Sequence, residues 1–145
     1  MNIMRKIVVF IIVIFTINSC KSYKEYIVEN NCGNAKKIYI SKEKPFKVKK
    51  LSDEFILTFL NGFDQKNVII KVGDSIYFDK KINTDPSTSF ADGYYFQNFT
   101  DNPIKVLIGE ECFYFNLDKN YKYYEIHVSK KMFYLHLNHF PSIGE

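Results

Sequence analysis

Residues 68–78 read Val68-Ile69-Ile70-Lys71-Val72-Gly73-Asp74-Ser75-Ile76-Tyr77-Phe78. Two short runs of β-branched and aromatic residues flank the pair Gly73-Asp74. The leading glycine of that pair suits the positive φ at the first central position of a type II′ turn. The segment therefore predicts a β-hairpin, and its pattern recurs along the chain.

Phe55, Leu57 and Phe59 alternate with Ile56, Thr58 and Leu60, and Ile104, Val106 and Ile108 alternate with Lys105 and Leu107. Phe113, Phe115 and Leu117 alternate with Cys112, Tyr114 and Asn116. Tyr124, Ile126 and Val128 alternate with Tyr123, Glu125 and His127, and Phe133, Leu135 and Leu137 with Tyr134, His136 and Asn138. A period of two over this many segments predicts antiparallel strands with one buried face, and no segment carries helical spacing. Asn61-Gly62, Asp92-Gly93 and Gly109-Glu110 mark further turns. The expected fold is all-β: a single antiparallel β-sandwich of about eight or nine strands, with the long 83–92 connection crossing between sheets. The 14 Phe and 11 Tyr, with no Trp, supply two facing sheet interiors, and Tyr77, Tyr114, Tyr123 and Tyr134 point outward, as a platform for stacking a sugar or docking a protein would.

The N-terminus follows different rules. Arg5 and Lys6 precede an apolar run over residues 7–15, then small and polar residues to Ser19. That run is too short to span about 30 Å of hydrocarbon, and its layout is that of a secretory signal peptide. Ile17-Asn18-Ser19-Cys20 resembles the lipobox of bacterial lipoproteins. The resemblance implies cleavage before Cys20, acylation of its thiol and new N-terminus, and membrane attachment by several acyl chains, each methylene adding about 0.8 kcal/mol. The expected organisation is a signal peptide over 1–19, a tether over 20–25 and the β-sandwich over 26–145, held in the cell envelope, at the outer membrane if the cell has two.

Of the 20 basic residues only Arg5 and Lys6 fall in the leader, leaving 18 lysines against all 16 acidic residues. So small an excess does not describe a nucleic-acid binder. Lys36, Lys37, Lys42, Lys44, Lys47, Lys49 and Lys50 are nonetheless clustered, either as an anionic-surface contact or as lysines that block edge-to-edge strand pairing. Export permits a disulfide between Cys32 and Cys112, closing a loop of about 80 residues worth about 3–5 kcal/mol. Two unpaired thiols are the alternative.

The three histidines, His127, His136 and His139, lie in the last two strands. His136 and His139 fall on opposite faces, so no three-ligand metal site is expected. The chain holds no nucleophile elbow, zinc-helix motif, phosphate-binding glycine loop or calcium loop, and so implies no cofactor and no enzyme. Residues 83–93 form either a crossover or a recognition loop. Asn98-Phe99-Thr100 matches an N-glycosylation triplet, a reading without force in most bacteria.

Residues 61–81, with Thr84-Asp85 and the run Asn120-Tyr121-Lys122-Tyr123-Tyr124-Glu125-Ile126, resemble small lipoproteins of the Bacteroidetes. That resemblance implies location and a β-fold and transfers no site residue. The leading expectation is a membrane-anchored binding or envelope-associated module with a protein or glycan partner. An immunity protein that neutralises a toxin is second. A small hydrolase is third, and requires His127 or His136 to meet a carboxylate in a pocket.

Overall fold

The segment that opens the sequence argument folds as a hairpin. In the computed structural model, which describes residues 23–28, 32, 36–44, 53–98 and 100–142, Gly73 has φ of 58°. Asp74 is not among the positive-φ residues, as a type II′ turn requires. Cys20 and residues 1–19 lie outside the described residues.

Ten strands are described: β1 Tyr23–Val28, β2 Lys37–Glu43, β3 Phe55–Phe59, β4 Lys66–Val72, β5 Ser75–Ile82, β6 Asp92–Phe96, β7 Ile104–Ile108, β8 Glu111–Phe115, β9 Tyr123–Val128 and β10 Met132–Asn138. They form a six-stranded sheet, β1-β2-β10-β9-β3-β6, and a four-stranded sheet, β5-β4-β7-β8. The two pack face to face as a β-sandwich.

The period-two pattern predicts which residues fill the space between them. Phe55, Leu57 and Phe59 of β3, Tyr124 and Ile126 of β9, and Phe133, Leu135 and Leu137 of β10 are buried from one sheet. Val68, Ile70, Ile104, Val106, Ile108 and Phe113 are buried from the other. Rings interlock across the gap: Phe113 and Phe133 have centroids 4.8 Å apart, and Phe59 and Phe78 5.5 Å. Each fully buried large apolar side chain contributes about 1.5–3 kcal/mol.

The connection over residues 83–91 does pass from the small sheet to the large one, since it joins β5 to β6. It is held by its own polar side chains. Thr84 Oγ1 donates to Leu60 O and accepts from Phe63 N, and Asp85 Oδ1 accepts from Ser87 N and Oγ. Those Ser87 bonds hold the Asp85 carboxyl below its usual pKa.

Three expectations need correction. Among the described residues there are ten strands, against the expected about eight or nine. The sandwich is mixed rather than antiparallel, because β10 pairs parallel with β2 and β3 pairs parallel with β9. Parallel neighbours are joined by crossovers, so no local turn announces them. The first strand begins at Tyr23, inside the stretch read as tether. β1 is an edge strand with five of its six residues exposed, so burial leaves no alternation to read in its sequence.

One flank of the sandwich is tied shut. Cys32, in the connection between β1 and β2, forms a disulfide with Cys112 of β8, with Cα atoms 5.7 Å apart. Beside it Lys36 Nζ lies 2.6 Å from Glu111 Oε2 and 5.1 Å from the centre of the Phe133 ring. The opposite flank, between edge strands β5 and β6, is only half closed.

Candidate functional site

Half of that second flank is bridged by Lys80 of β5, whose Nζ lies 3.3 Å from Asp92 Oδ2 of β6. The other half is a cleft of about 520 Å³ lined by Val72, Tyr77, Tyr94, Tyr95, Phe96, Gln97, Asn98 and Thr100.

A backbone irregularity builds this cleft. Pairing between β4 and β5 runs Val72 with Ser75 and Lys71 with Ile76, then jumps to Ile70 with Phe78. Tyr77 is the extra residue of a β-bulge. Regular alternation would set Tyr77 opposite in sense to Phe78, on the outer face. The bulge instead re-aims its ring, which comes to 5.3 Å from Phe96 and 6.4 Å from Tyr94. Ile76 consequently faces outward and is 56% exposed.

From the other sheet, Phe96 stacks on buried Phe55 at 4.3 Å with the rings 10° from parallel, and meets Tyr94 edge-on at 4.7 Å. The floor is thus rigid aromatic surface. At the rim stand Gln97, Asn98 and Thr100. Tyr95, on the outer side of β6, is hydrogen-bonded to Glu54, which raises its pKa. Among the described residues no Lys, Asp, Glu or His lines the cleft. Apolar ring faces bordered by neutral amides and hydroxyls suit a ligand with flat C–H faces and many hydroxyls better than a charged one.

A second cleft, of about 290 Å³, lies on the outer face of the six-stranded sheet and is lined by Tyr23, Glu125, His127, His136, Asn138 and Ser142. His136 is directly opposite Glu125 in the β9/β10 ladder, and the His127 and His136 rings meet at 5.1 Å, nearly perpendicular. Burial, then the neighbouring His136, pushes His127 down to about 4. Burial also lowers His136, against the opposing pull of Glu125 and Glu25. The residue after β10, His139, points elsewhere and stacks on Tyr121 at 5.0 Å.

The hydrolase reading required a histidine and a carboxylate in one pocket, and this cleft supplies both. Two serine hydroxyls lie nearby. Ser41, opposite His136 across the β2/β10 pair, is 2% exposed, and Ser142 is engaged by Glu125. Among the described residues no group of three or more His, Cys, Asp or Glu is spaced to hold a metal ion.

Of the tyrosines read as outward-facing, only Tyr77 joins a cluster at the first cleft. Tyr114 borders a shallow depression with Pro103, Phe115 and Asn116, beneath Lys105. Tyr134 packs on Tyr39 at 5.5 Å, and Tyr123 is half-buried at the start of β9. Within the lysine cluster, Lys36 pairs with Glu111 and Lys42 with Asp118. Lys47, Lys49 and Lys50 lie outside the described residues.

Sequence reading did not single out Tyr94, Tyr95, Phe96 or Gln97 as a site. The one available signal was the aromatic triplet itself, directly after Asp92-Gly93, on a strand short enough to be an edge.

Comparison with protein-family models, with curated proteins and with solved structures finds no match for this chain.

Proposed function

We propose that the chain is an exported β-sandwich binding module, anchored to the envelope by lipid on Cys20, that holds a neutral glycan in the cleft between β5 and β6. The observation that carries the reading is the bulged Tyr77, turned against Phe96 and Tyr94 from the opposite sheet. Preformed aromatic floors cost little entropy to use, and sugar C–H faces stack on them while rim amides bond the hydroxyls. The signal-like 1–19 and the lipobox-like Ile17-Asn18-Ser19-Cys20 support the anchor. A tether this short keeps the cleft near the membrane surface, where envelope polysaccharide is concentrated.

A glycan array probed with the full chain in detergent micelles tests the site. Binding confined to uncharged saccharides and lost in Tyr77→Ala supports it. Binding only to a protein recovered from the envelope would replace the glycan with a protein partner. The anchor is tested separately by growing cells with a fatty-acid analogue, since Cys20→Ser should abolish label incorporation and retained label would refute lipidation there.

A further inference from the structure

Glu125 is a buried carboxyl whose hydrogen-bond partners among the described residues include no cationic side chain. The residue is 2% exposed. Its Oε1 accepts from Ser142 N at 2.8 Å, and its Oε2 accepts from Ser142 Oγ at 2.5 Å and from Asn138 Nδ2 at 2.8 Å. All three donors are neutral. The lysine ion pairs of the described residues, Lys36–Glu111, Lys42–Asp118, Lys80–Asp92 and Lys122–Glu54, all lie elsewhere. Removing a carboxylate from water costs several kcal/mol even after relaxation. Bonds from neutral donors offset that cost without supplying a countercharge.

Among the described residues no Lys or Arg lines the cleft beside Glu125. His136 and His127 face it, and burial keeps both imidazoles in the neutral form at pH 7. The other charged group acting on His136 is Glu25, from β1 on the same face. Tyr39 packs beside His136, with ring centroids 6.2 Å apart, and against Tyr134. A second observation points the same way. Asn138 lines the cleft and is 5% exposed, its Nδ2 is committed to Glu125, and its amide oxygen has no hydrogen-bond partner.

A carboxylate accepts about four hydrogen bonds, so with three made, one direction remains on Oε1. The cleft therefore combines a spare carboxylate acceptor, an unpaired amide oxygen and two imidazoles able to accept. Its donors are the imidazole N–H groups and the Tyr23 hydroxyl, and among the described residues it is lined by no Lys or Arg.

We propose that this cleft on the outer face of the large sheet binds the primary ammonium group of a small amine, with Glu125 as countercharge. An ammonium carries three donors and one charge, which match the spare acceptor on Glu125, the unpaired Asn138 amide oxygen and a carboxyl that has no cationic side chain bonded to it among the described residues. A metal ion is the poorer fit, because the ligating side chains present are not spaced to converge on one. The site is separate from the aromatic cleft, so either can fail without the other.

The test uses the full chain in detergent micelles at pH 7.5, with histidine carbons labelled and followed by NMR at constant ionic strength. n-Butylammonium should shift the His127 and His136 signals saturably. Tetramethylammonium, which has the charge but no N–H, should not move them beyond a sodium chloride control. In Glu125→Gln the affinity for n-butylammonium should fall roughly tenfold or more. Equal responses to the two ammonium ions, no response to either, or unchanged affinity in Glu125→Gln would overturn the proposal, as would saturation by zinc ion alone. Comparing the two ammonium ions on the unmodified chain keeps the test valid even if the variant does not fold.

Discussion

Tyr77 and Phe96 stand with ring centroids 5.3 Å apart although they belong to different sheets. The contact exists because one extra residue in β5 turns Tyr77 off the outer face. Tyr77 is still 43% exposed, so its ring is available surface rather than core. Tyr77→Ala should therefore cost under about 1 kcal/mol of stability while weakening glycan binding about tenfold, the equivalent of about 1.4 kcal/mol. Urea unfolding midpoints and glycan affinity measured on the same preparation separate the two effects. A large stability loss with unchanged affinity would make Tyr77 structural.

Gly62 and Gly73 both have positive φ, 93° and 58°, yet they should respond differently to Ala. A Cβ on Gly73 meets nothing within 4 Å, whereas on Gly62 it would lie 1.9 Å from the Val128 carbonyl oxygen. There the backbone is already committed, since Val128 N donates to Asn61 O at 2.9 Å. Gly73→Ala should cost about 1 kcal/mol, from conformation alone. Gly62→Ala should cost at least about 3 kcal/mol or prevent folding. Equal unfolding midpoints for the two variants would contradict this.

The disulfide spans 80 residues of sequence and joins the β1–β2 connection to the far edge of the other sheet. Its entropic constraint on the unfolded chain predicts a loss of about 3–5 kcal/mol in the double variant Cys32→Ser, Cys112→Ser. Denaturant unfolding of oxidised protein, reduced protein and double variant should place the last two together. A double variant as stable as the oxidised protein would show that the Lys36–Glu111 contact and core packing suffice to close that flank.

The histidine cleft predicts a pH dependence of defined sign. His127 takes a proton near pH 6.5 in the unfolded chain but only near pH 4 in the folded one. Between those values the unfolded state binds more protons, so stability falls as pH drops from about 6.5 to about 4 and changes no further below through this group. His136 adds a loss of the same sign. Because both rings are partly exposed, the combined effect should be on the order of 1 kcal/mol. His127→Gln should flatten the unfolding midpoint across that window, and an unchanged slope would refute the assignment.

The β-hairpin at Gly73-Asp74 and the inward sets of β3, β7, β8, β9 and β10 were readable because they depend on neighbours in sequence: turn chemistry, and side chains alternating with period two. The same logic failed where burial or pairing is set from afar. Nothing within Tyr23–Val28 shows that this exposed stretch has a partner strand. Nothing in β10 shows that it lies between β2 and β9 and runs parallel to β2. At the cleft between β5 and β6, Tyr77 was visible as an aromatic residue facing away from the core. Its actual direction depends on a bulge that pairing with β4 imposes.

Sequence by itself determined the all-β class and most of the core and favoured the sandwich, because periodicity and turn chemistry are local quantities. It also placed Cys32 and Cys112 as the two cysteines left for the fold without deciding whether they join. Tertiary structure alone decided that bond, the meeting of Tyr77 with Tyr94 and Phe96, and the placement of Glu125 opposite His136. Those relations link residues 11 to 80 positions apart, and the distance between such residues is fixed only when two sheets pack and their registers lock.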